Sequence, residues 1–62
     1  MNNDEAKQQL KIYIQNLALI NGDLAEYLSL LKRTNIEFNE KMLDEINKIR
    51  DAIVKLDQLS LS

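Results

Sequence analysis

Between Leu10 and Leu31 the apolar residues recur at heptad spacing. With Leu10 at position a, the a and d sites are Leu10, Tyr13, Leu17, Ile20, Leu24, Tyr27 and Leu31, separated alternately by three and four residues, and Ile14 and Leu28 widen the stripe at e. This periodicity predicts an amphipathic helix with every seam position filled. Met42, Ile46, Ile49, Ile53 and Leu56 form a second stripe and predict a second helix. The expected fold is all-α, an antiparallel hairpin with helices over about 4–33 and 35–59, whose expected assembly is a homodimeric four-helix bundle.

The ends of the first helix carry matching signals. Asn3 or Asp4 is a suitable cap, Asp4 and Glu5 sit where the helix dipole favours negative charge, and Lys32 and Arg33 sit where it favours positive charge. Met1 to Asn3 are expected to fray. Asn21-Gly22-Asp23 is the one interruption, and Gly as a helix terminator followed by Asp as a cap would give a three-helix unit split at Gly22. The heptad phase continues unbroken through the triplet, which favours one helix, bent at most, with Gly22 costing about 1 kcal/mol relative to Ala.

Thr34-Asn35-Ile36-Glu37 reads as a capping box for the second helix. A turn there sets Leu24 against Ile46, Ile20 against Ile49, Leu17 against Ile53 and Tyr13 against Leu56, with Phe38 near the bend over Leu31 or Tyr27. On the outer face, Glu37 with Lys41, Asp44 with Lys48 and Asp51 with Lys55 are i,i+4 pairs in the favourable order. After Asp57 no stop signal is evident, so the tail is expected to fray.

The seam leaves some apolar residues unexplained. Ile12 and Leu19 fall at c and Leu30 at g, roughly 100° or more from the stripe's centre, while Val54 and Leu61 share a position on the second helix. Single surface apolar residues are ordinary. Because Ile12 and Leu19 align and one hairpin cannot bury both faces, these five are candidates for a further interface, with another copy or with a larger protein. Tyr13 and Tyr27 are read as core residues whose hydroxyls reach water at the rim.

Composition narrows the classes. Sixty-two residues make one small domain, 1–62, and a single core below about 70 to 80 residues rarely supplies more than ~3 to 5 kcal/mol. With no Cys and no His, stabilisation by disulfides or a zinc site is nearly closed, which leaves self-association or a larger partner. Net charge is −2, and eight basic residues are dispersed among ten acidic ones. A nucleic-acid partner would need a basic stripe assembled from two copies, from Lys7, Lys11, Lys32, Arg33 and Arg50. The uncharged run of residues 12–22 falls short of the ~20 residues that span a bilayer, so no membrane partner is expected. Met1 to Glu5 is acidic where a signal peptide's basic region would stand, and a cytosolic location is the simplest expectation.

No constellation carries a chemistry. Glu37, Glu40, Asp44 and Glu45 are acids of one solvated helix face with Lys41 and Lys48 among them, and neither a metal site nor a cofactor is expected. Ser29, Ser60, Ser62 and Thr34 have no His or Cys to activate or replace them, so no catalytic residue is assigned. Gly22-Asp23-Leu24 after an amphipathic helix, followed by Lys41-Met42-Leu43-Asp44-Glu45, slightly resembles the small subunit of exodeoxyribonuclease VII over half of the chain. The resemblance needs gaps on both sides of Gly22 and lacks that family's glycine after the middle helical segment, so it assigns no family. It implies a structural accessory subunit of an enzyme complex such as a nuclease. The expected function is non-enzymatic protein binding by a small regulator or inhibitor, and an abundance of Asn, Ile and Lys allows a phage or mobile-element origin.

Overall fold

The structure is a computed structural model that describes residues 3–35 and 37–61; Met1, Asn2, Ile36 and Ser62, on which parts of the expected fraying and capping box fall, lie outside the described residues. Two helices make up the fold, α1 over Asn3–Thr34 and α2 over Lys41–Ser60, packed side by side as a hairpin. The chain measures 51 × 15 × 11 Å, two helices wide and one layer deep. Its radius of gyration is 15.1 Å, where a globular chain of this length would have ~10.6 Å.

Helix α1 runs through Gly22 without a break, and no residue among those described has positive φ. The three-helix alternative is therefore excluded. A continuous i→i−4 ladder through the triplet outweighs the propensity cost of one glycine, because extending a helix already formed costs less than ending it and nucleating another.

The connection differs from the expected turn. Thr34 does not cap α2; it ends α1, and its hydroxyl donates to the carbonyls of Leu30 and Leu31, both at 3.3 Å. Threonine has this option wherever a helical turn precedes it, and bonding backwards removes its oxygen from the capping role. Two asparagines shape the link instead. Asn35 Oδ1 accepts from the Glu37 N–H at 2.9 Å, and Asn39 Oδ1 accepts from the Lys41 N–H at 3.0 Å. Helix α2 consequently starts at Lys41 and not at residue 35. Lys32 in the last turn of α1 pairs with Glu40 at the N-cap of α2 at 3.1 Å, each charge at the helix end that favours it.

Helix α2 continues through the expected frayed tail to Ser60, whose hydroxyl donates to the Asp57 carbonyl at 2.7 Å. On its outer face Lys48 turns to Glu45, at 3.0 Å, in place of Asp44, and Asp51 lies 3.8 Å from Arg50. The Glu45 hydrogen bond and charge hold the Lys48 ammonium above its ordinary pKa, with Asp44 adding a smaller contribution.

Candidate interaction surface

The side chains buried between the helices are few. Among the described residues Ile14, Leu28 and Ile46 are the buried apolar ones, at 3, 4 and 7% exposure, with Asn21 beside them at 7%. Ile14, Asn21 and Leu28 are seven residues apart, one row at position e. This row, not the a/d stripe, faces α2. Leu43, Ile46 and Ile53 face it from α2, and the half-buried Asp57 and Ser60 extend the seam toward the C-terminus.

Position e lies about 40° around the helix from a, and about 100° from d. Turning the seam onto e therefore lifts d out of it. Tyr13, Ile20 and Tyr27 are 64, 63 and 57% exposed, and Leu10, Leu17 and Leu24, beside the seam, are exposed too. Of the residues expected in the hairpin core, Ile46 is buried and Leu31 and Ile53 are half-buried, while Leu10, Tyr13, Leu17, Ile20, Leu24, Tyr27, Met42, Ile49 and Leu56 are exposed. The a/d/e stripe is wide enough to serve two neighbours, and α2 occupies one edge of it.

Asn21 anchors this arrangement. Its Nδ2 donates to the Ile46 carbonyl of the facing helix at 3.3 Å, a contact across the two helices. The expected pairing of Leu24 with Ile46 is thus displaced, with Asn21 opposite Ile46 and Leu24 at its flank. No buried side-chain polar atom among the described residues lacks a partner.

The two sides of the seam differ in character. Leu24, Leu28, Met42 and Ile46 wall a groove of about 400 Å³ on one side, with Asn39, Lys41 and Glu45 at its end near the connection. On the other side Ile14, Ala18, Ile53 and Val54 are bordered by Lys11, Gln15, Asp57 and Gln58, with Lys7 and Leu61 near the end. The seven-residue step from Met42 carries Ile49 and Leu56 along the first side, where they join the a/d residues of α1 in one apolar face. Of the five residues singled out as interface candidates, all are exposed: Ile12, Leu19 and Leu30 on α1 away from α2, Val54 and Leu61 on the more polar side. They do not form one patch.

Nothing on this surface gathers reactive groups. Among the described residues no set of three His, Cys, Asp or Glu side chains could hold a metal ion, and no helix is long and apolar enough to cross a membrane. Asp23, Glu26, Tyr27, Ser29, Leu30 and Arg33 border a depression along α1 alone, without a second wall. Asn21 is the residue that sequence reasoning missed. Its signal was its place midway between Ile14 and Leu28, both already assigned to the e row.

Comparison with known proteins adds no relative: no family model matches this chain, and no curated protein or solved structure matches it significantly.

Proposed function

We propose that this chain is a non-enzymatic protein-interaction module, a small regulator or inhibitor that works by docking the apolar face of its hairpin on another polypeptide. One observation carries the reading: the heptad stripe of α1 stays exposed from Leu10 to Tyr27, with Leu31 half-buried at its end, while α2 packs on the neighbouring e row. Heptads of Leu, Ile and Tyr are seams for a facing helix, and leaving one in water forfeits its hydrophobic stabilisation. The partner surface is therefore helical and apolar. Occupancy of that partner, not bond chemistry, is the mode of action, and assembly into a four-helix bundle is one form of it.

The test compares the chain with Ile20→Lys, which places a charge at the centre of the face. Mass in solution and recovery of partners from the source cell's lysate are both measured. Loss of the larger species or of a captured partner in Ile20→Lys supports the reading. A monomeric, fully folded chain whose captured partners are the same with and without the substitution would overturn it.

A further inference from the structure

The a/d stripe of α1 reads the same in both directions. From Leu10 the residues run Leu, Tyr, Leu, Ile, Leu, Tyr, Leu, so that Ile20 is the centre and every residue has its own kind at the mirror position. A surface that pairs with an unrelated protein has no need of this symmetry. In a surface that pairs with itself about a two-fold axis, residue i meets j and j meets i, and here that places like beside like at every level of the stripe.

Resting on the interaction reading above, we propose that the occupant of the apolar face is a second copy of this chain, with the two α1 helices antiparallel across a two-fold axis beside Ile20. Ile20 then meets Ile20 of the other copy, Tyr13 lies level with its Tyr27, and Leu17 lies level with its Leu24.

Helix α2 fits the same axis. Its exposed row Met42, Ile49 and Leu56 is centred on Ile49. The bond from Asn21 to the Ile46 carbonyl places the centre of the α1 stripe within one helical turn of Ile49. An axis beside Ile20 therefore passes within a turn of Ile49 as well, and the assembly is a four-helix bundle with its two connections at opposite ends.

Charge selects the same orientation. Asp4 and Glu5 occupy the first turn of α1, and Lys32 and Arg33 the last. Antiparallel helices bring Lys32 and Arg33 of each copy to the end of the other that carries Asp4 and Glu5, within a Debye length, although Lys7 lies level with Arg33; a parallel pair would set every charge beside its own kind.

Area fits the same assembly. The chain exposes 5362 Å², whereas a compact monomer of its mass would expose ~4,100 Å². This excess belongs to the elongated hairpin as a whole, and covering one face with the ~800 Å² per partner of a standard interface would bring the exposure toward the compact value.

Cysteine cross-linking reads the arrangement directly, since the chain contains no Cys. Under mild oxidation Ile20→Cys should form a disulfide-linked pair about tenfold faster than Lys11→Cys, which lies on the other side of the seam. An equal mixture of Tyr13→Cys and Tyr27→Cys should give the mixed disulfide in excess over either like pair. Preferential Tyr13→Cys like pairs would mean parallel helices and overturn the proposal, leaving the interaction reading standing. Equal, slow linking at all positions with the mass of one chain would overturn the second copy as occupant. The Ile20→Lys capture experiment then decides separately whether the face binds any other protein.

Discussion

Asn21 of α1 and Ile46 of α2 are joined by a hydrogen bond from the Asn21 side-chain amide to the Ile46 carbonyl, 3.3 Å long, in the middle of an otherwise apolar seam. Its position in the e row decides which edge of the α1 stripe meets α2, and hence which edge is left open. A buried asparagine in a helical seam characteristically fixes register at some cost in stability.

Replacing Asn21 with Ala should destabilise the fold by about 0.5 to 1.5 kcal/mol, the net worth of one such bond. Asn21→Asp should cost more at neutral pH, because a carboxylate cannot donate to the carbonyl and would be desolvated. Burial raises the folded pKa of that Asp above its unfolded value of about 3.9. The stability that its neutral form retains is therefore present below about pH 4 and is lost as pH rises through the folded pKa. Urea unfolding followed by circular dichroism at several pH values measures this, and indifference to both substitutions would contradict the anchoring role.

Gly22 lies within α1 at a helical φ, and a Cβ added there would meet nothing within 4 Å. Gly22→Ala should stabilise by about 0.8 to 1.0 kcal/mol. For a domain of this size that raises the melting temperature by about 4 to 8 °C. Thermal melts of the two proteins test this; a lower melting temperature would mean that the glycine is needed for a bend or a close approach.

Lys48 is exposed, and its raised pKa comes first from the Glu45 hydrogen bond and then from the Glu45 charge. In Glu45→Gln the Lys48 pKa should fall back toward its ordinary value, as measured by NMR titration. The pair's small contribution to stability is fully present below the ordinary lysine pKa and is lost as pH rises through the raised one. An unchanged Lys48 titration in Glu45→Gln would show that the pair does not persist in solution.

Ile46 and Ile20 separate the two apolar surfaces. Ile46→Ala removes one of the few buried side chains and should cost about 2 to 5 kcal/mol, enough to unfold most of the population. Ile20→Ala should be almost neutral in an isolated hairpin and should cost about 2 kcal/mol or more where the face is covered. Denaturation midpoints measured at low and high protein concentration tell these apart: with the face covered, the cost of Ile20→Ala grows with concentration.

The helices themselves were legible in the sequence. Heptad recurrence gave α1 and its antiparallel neighbour, and the unbroken phase through Asn21-Gly22-Asp23 correctly implied one helix. The choice of seam was not legible, because an a/d/e stripe offers two edges and the polar Asn21 disguised the e row as an interruption. Thr34 could cap α2 or bond back into α1, and local sequence does not rank these; the side chains of Asn35 and Asn39 supply the alternative path. As for the surface, exposure of Ile12, Leu19 and Leu30 followed from their wheel positions. Exposure of Tyr13, Ile20 and Tyr27 required knowing where α2 sits.

We propose the a/d face of α1 as an interface between copies of this chain. Light scattering across a hundredfold range of concentration, on the unaltered chain and on Ile20→Lys, tests it most directly. The expected result is a species of twice the chain's mass that gives way to a monomer on dilution or on introduction of the lysine. A folded monomer at every concentration, with the same mass for Ile20→Lys, would contradict it.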